Sequence, residues 1–177
     1  LELGSVTLRG FGPFVEEQTY PLSCRGVRVI AGENRDEGGA DSNGAGKTSL
    51  VTAPLWALTG EVLARTESGG GGRVPVDVMR NEGCPVCRVA VRGRLNGQAF
   101  EVEREVKRGK TSSLTLHVGG QDLTLQDIPG TADRIRRLFS TELLRSCAFF
   151  GQNDITGLLE ASDALLKQKL GLVVDLE

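Results

Sequence analysis

An α/β fold carrying an antiparallel β-rich segment is predicted by three observations. A near-continuous apolar run, Val27 to Ala31, precedes the stretch Asp41-Ser42-Asn43-Gly44-Ala45-Gly46-Lys47-Thr48, and a helical pattern, Ser49 to Leu58, follows it. Three alternating runs, Cys87 to Leu95, Ala99 to Lys107 and Ser113 to Val118, read as strands joined by short turns. The 177 residues, 39% apolar and 25% charged, suffice for one sizeable core, as one domain with an appendage.

The elements follow in chain order. Leu3 to Leu8 alternates like a strand, Gly10-Phe11-Gly12-Pro13-Phe14 breaks it, and another short extended piece ends at Leu22. Val27 to Ala31 suits a buried strand feeding the glycine-bearing loop. Within the helix from Ser49, Pro54 leaves the Leu50 carbonyl without its partner and should bend the axis. Arg65 to Arg73, with Gly69 to Gly72 inside it, reads as a flexible loop. Asn96-Gly97 between alternating runs is a strong hairpin signal, and Arg108-Gly109-Lys110 makes the next turn. Thr131 to Leu144 reads as a helix with Thr131 as N-cap, Ser146 to Phe150 as a strand, and Ser162 to Leu170 as the start of a further helix.

Between a strand and a helix, residues 41–49 have the setting of a phosphate-binding loop. Glycines let consecutive backbone N–H groups turn toward phosphate oxygens, and the following helix adds the positive end of its dipole. Lys47 would reach the β- and γ-phosphates and the Thr48 hydroxyl would hold Mg²⁺. The strict pattern wants glycine where this chain has Asp41, and the competing reading is a Gly-rich turn that contains Lys-Thr. Asp36, Glu37 and Asp41 would repel a polyphosphate, so this long loop is expected to bulge into solvent.

A net charge of −2 supplies no global attraction to nucleic acid or membrane, so any DNA contact must use a local patch. No apolar run approaches membrane-spanning length and no secretory signal opens the chain. The expected location is intracellular: the nucleus in a eukaryote, the cytoplasm or nucleoid in a bacterium or phage. The chain begins at Leu1, so its true start is expected to lie outside this sequence. Four sparse cysteines, Cys24, Cys84, Cys87 and Cys147, read as reduced thiols.

Five segments in order carry a family resemblance: Leu8-Arg9-Gly10-Phe11-Gly12-Pro13-Phe14; Val29-Ile30-Ala31-Gly32-Glu33-Asn34; Ser42 to Thr48; Leu55-Trp56-Ala57-Leu58-Thr59-Gly60; and Phe149-Phe150-Gly151-Gln152. Together they resemble the N-terminal ATPase lobe of SbcC-type DNA-repair ATPases, SMC-like members of the ABC class. The resemblance spans nearly the whole chain. It implies a P-loop NTPase fold, an ABC-type head lobe with a β-rich insertion at about 84–120, a Q-loop at about 149–154 and the start of a coiled coil at about 162–177. It further implies ATP on Asn43, Gly44, Ala45, Gly46, Lys47, Thr48 and Ser49, with Mg²⁺ on Thr48 and Gln152. Gln152 would act in catalysis, since a neutral amide can touch both Mg²⁺ and the attacking water. The competing reading of Gly151 to Asp154 is a polar turn. Lys47 and Gln152 stand 105 residues apart, a spacing suited to this family. The implied partners are a C-terminal lobe of the same ATPase, a second head, an SbcD-type nuclease and duplex DNA ends, in double-strand-break repair. Gly12-Pro13 stands where many relatives carry a basic and a hydroxyl residue.

An ABC-type site also needs four apolar residues ending in Asp-Glu and a signature Ser-Gly loop, and neither occurs in this sequence. Leu172 to Glu177 has non-adjacent acids and reads better as a helix entering a coiled coil. The chain is therefore expected to be an incomplete half-site, with a non-catalytic nucleotide-binding or assembly module as the alternative. A GTPase is a further alternative, because Asp127-Ile128-Pro129-Gly130 matches an Asp-x-x-Gly loop after Leu123-Thr124-Leu125, but no Asn/Thr-Lys-x-Asp base motif accompanies it. Cys84-Pro85-Val86-Cys87 resembles the family's zinc-hook motif. Its place at the start of a β-run favours a turn over zinc. Lys107, Arg108 and Lys110, with Arg104 before them and Arg134, Arg136 and Arg137 on the next helix, form a candidate DNA-backbone contact or an ordinary charged face.

Overall fold

The computed structural model describes residues 1–23, 26–32, 46–61, 79–107, 110–141 and 144. Strands β1 (Glu2–Arg9), β2 (Gln18–Pro21), β3 (Val86–Leu95), β4 (Gln98–Lys107), β5 (Lys110–Val118) and β6 (Gln121–Asp122) form one antiparallel sheet in the order β2-β1-β3-β4-β5-β6. Helices α1 (Lys47–Thr59) and α2 (Ile128–Phe139) pack on it and on each other. The β-rich segment is continuous with the N-terminal strands, because Val6 pairs with Val91 and Leu8 with Val89.

Alternation sets the two faces. Val6 and Leu8, Val89 and Val91, Phe100, Val102 and Val106, and Leu114 and Leu116 point inward as period-two sets and meet Ala53, Trp56, Ala57, Ile135 and Phe139 in the core. Outward positions carry charge: Arg92 makes two hydrogen bonds to Glu101, and Arg88 pairs with Glu17. Asn96 (φ 50°) and Gly97 (φ 80°) both adopt positive φ, so the β3–β4 hairpin has the turn its sequence predicts.

Residues Thr52 to Leu58 of α1 are all buried, which is why this helix lacks a polar stripe. Phe11 packs on Trp56 with ring centroids 5.3 Å apart, a tilted arrangement worth about 1 kcal/mol beyond burial. Pro54 lies inside this helix and is buried.

Three expectations change. The Val27 to Ala31 run is not a buried strand: Val27 is 98% and Val29 91% exposed, and no described strand pairs with it. An apolar run becomes a buried strand only where a neighbour accepts its backbone, and the described sheet offers it none. Helix α2 begins at Ile128 rather than Thr131. Asp127 is the N-cap, accepting a hydrogen bond from Gly130 N at 2.7 Å, with Pro129 in the first turn. Thr131 is instead buried, its hydroxyl accepting from Leu125 N and donating to Asp127 O. The Asp-x-x-Gly match is thus a helix start, and Leu123 to Leu125 form no strand.

The third change concerns Arg104. It does not belong to the exposed basic cluster: it points inward from β4, 6% exposed, and its Nε donates to Ala57 O at 3.2 Å. Its guanidinium lies 5.8 Å from the Trp56 ring centroid. Burial pulls its pKa down to about 10. Strict alternation along β4 places it inward between Val102 and Val106, whatever its charge.

Candidate functional site

Helix α1 starts at Lys47, directly after Gly46, and its first backbone bond runs from Leu50 N to Gly46 O at 2.9 Å. Gly46 has φ +82° and supplies no side-chain cap, and the first turn contains no acidic residue. The cap itself therefore offers the opening N–H groups no side-chain acceptor, and the first turn brings no carboxylate of its own against an anion. These features fit a phosphate group at this end. Thr48 is exposed there, with Lys47 and Ser49 half-buried beside it.

A tight turn after β1 presses against this helix end. A Cβ on Gly46 would come within 2.6 Å of Pro13 Cγ and 3.0 Å of the Phe14 ring, and one on Gly12 would run into the Ser49 hydroxyl. Phe11 and Phe14 exchange backbone hydrogen bonds of 3.1 and 3.0 Å, closing the turn. Asn81 holds it from outside: its Nδ2 donates to Gly12 O and its backbone N to Gly10 O, both at 2.8 Å. Gly12-Pro13, which stands in place of a basic and a hydroxyl residue, thus serves packing against α1. Asn81 escaped sequence reasoning because a lone Asn in a polar stretch has no signature; its neighbours Gly83 and Pro85 mark only a turn.

Among the expected ATP and Mg²⁺ residues, Gly46, Lys47, Thr48 and Ser49 come together at this helix end. Asn43, Gly44, Ala45 and Gln152 lie outside the described residues, as do Asp36, Glu37, Asp41 and the segment 162–177. In the basic cluster, Lys107 ends β4 opposite Lys110 in register, and its Nζ sits 3.1 Å from Glu105. Arg108 lies outside the described residues. On α2, Arg136 pairs with Asp133 at 2.6 Å and Arg134 donates to Leu123 O, so two of its three arginines are engaged locally. Cys84 and Cys87 are both buried, Cys87 within the core, and the described residues contain no group of three or more metal-ligating side chains.

A family model described as an AAA domain matches residues 5–171. The SMC head domain from Thermotoga maritima is similar at 24% identity and a TM-score of 0.44, over 73% of this chain and 41% of that one. The chain therefore spans less than half of that head domain. No curated protein matches it.

Gly46→Ala should lower the unfolding free energy by about 1 kcal/mol or more, since it combines left-handed strain with contact on Pro13 and Phe14. Denaturant titration measures this, and wild-type stability in the variant would contradict the packing described.

Proposed function

The chain belongs to the AAA domain family, and on that premise we propose that it binds ATP with Mg²⁺ as the N-terminal lobe of an SbcC-type, SMC-like ATPase head. The observation that carries this reading is the amide end of α1, which has no acidic first-turn residue and no side-chain cap. Its backbone N–H groups and the Lys47 ammonium would hold phosphate oxygens, and the Thr48 hydroxyl would ligate the metal. Held there by Thr48, a metal ion would supply positive charge to offset that of the phosphates. Asn43 to Ala45 would complete the cradle, and Gln152 would orient water beside the metal.

Hydrolysis in this reading needs a C-terminal lobe and a second head, which would bring the paired acids and the signature loop that this sequence lacks. The wider role is DNA double-strand-break processing with an SbcD-type nuclease on duplex ends, supported by the ordered set of segments from Leu8 to Gln152. A nucleotide-dependent assembly module without turnover is the second reading, favoured by the same missing acids. Duplex contact is assigned to Lys107, Arg108 and Lys110 at the end of the β4–β5 hairpin, where two lysines face each other across the register.

Lys47→Ala should weaken ATP·Mg²⁺ binding roughly tenfold or more, the worth of a charge-assisted contact, with thermal stability held. The chain alone should bind without turnover. Calorimetric titration with a parallel phosphate-release assay checks both; unchanged affinity in the variant, or turnover of several per second by the chain alone, would overturn the half-site reading.

In an assembled head, converting Lys107, Arg108 and Lys110 together to Glu should weaken duplex binding uniformly across sequences and flatten its salt dependence, with ATP affinity retained. Wild-type DNA affinity and salt slope in that variant would return the hairpin to plain surface.

A further inference from the structure

Helix α1 carries its candidate phosphate site at one end and meets Arg104 at the other. No basic residue lies in its own last turn, so the cation at its negative end comes from strand β4. The contact is close on several sides: Nε donates to Ala57 O at 3.2 Å, the guanidinium stands over the Trp56 ring, and a Cβ on Gly60 would lie 3.2 Å from Nη1.

As a stability element this arrangement is poor. Among the described residues, Nη2 is buried without a hydrogen-bond partner, and so is Trp56 Nε1. A buried charge with an unmatched donor carries a desolvation cost that an apolar side chain of similar size would not. What the guanidinium does supply is a directional grip on one carbonyl.

We propose that Arg104 is a positioning residue for the phosphate-binding helix: by holding Ala57 O from β4, it fixes how the far end presents Lys47 and Thr48. The proposal rests on the nucleotide reading above. From Lys47 to Ala57 the helix rises about 15 Å, and a rigid rod of that length converts a shift at one end into a displacement at the other. Pro54 removes one hydrogen bond between the two ends, which makes a second fixed point useful. Arg104 and Lys47 need never touch for their effects to be coupled.

Three measurements on this chain and on its Arg104→Met and Arg104→Lys variants test the proposal. ATP·Mg²⁺ affinity is read by equilibrium dialysis, thermal midpoint without nucleotide by circular dichroism, and Leu50 amide exchange, also without nucleotide, by NMR. Arg104→Met should bind ATP about tenfold more weakly and exchange Leu50 faster, with the midpoint unchanged or raised, and Arg104→Lys should recover most of both losses. A midpoint that falls together with affinity, or wild-type exchange at Leu50, would overturn the positioning role. Should the wild-type chain bind no ATP, the nucleotide reading falls, and Leu50 exchange still decides whether Arg104 positions the helix.

Discussion

The enclosure of α1 is the constraint on which the other features depend. Seven consecutive residues, Thr52 to Leu58, are buried, and a helix can be covered on every side only if two layers meet around it. Strands β1, β3 and β4 supply one layer and α2 contributes to the other. The enclosure has a polar cost. Among the described residues, Thr52 Oγ1, Trp56 Nε1 and Arg104 Nη2 are buried without partners, each a desolvation penalty of about 1–3 kcal/mol that the apolar contacts must outweigh. In exchange, the axis of the helix is set, and with it the place where the first-turn amides open.

The two ends of that helix are held by different means. At the amide end the hold is steric: Pro13 and Phe14 fill the space that any Gly46 side chain would need, and Asn81 locks the turn that carries them. At the carbonyl end it is polar, through Arg104 and the Gly60 N–H bond to Trp56 O at 2.8 Å. Because the turn extends from β1 and Arg104 from β4, the sheet acts as the frame that registers one end of the helix against the other. This explains why the β-rich segment belongs to the same unit as α1.

Much of this was legible in advance, and the reasons differ by element. The β3–β4 hairpin was readable because Asn96-Gly97 is a local signal that needs no partner. Helix α1 was readable because Ser49 to Leu58 carries apolar residues at helical spacing after a glycine-bearing stretch. The start of α2 was misplaced because Asp127, followed by Pro129, competes with Thr131 for the cap, and proline at the first turn was the stronger signal. Val27 to Ala31 was misread because apolar composition says nothing of whether a neighbouring strand exists. Arg104 was misassigned because proximity in sequence to Lys107 concealed the alternation that turns one inward and the other outward.

The central claim is that phosphate oxygens seat on the amide end of α1. An amide-resolved NMR titration of the chain with ATP·Mg²⁺ tests it most directly. The account predicts saturable shifts that are largest at Gly46, Lys47, Thr48 and Ser49 and small on the outward sheet positions around Arg88 and Arg92. Shifts concentrated on that outer face, with the Gly46 to Ser49 amides unmoved at saturation, would contradict it.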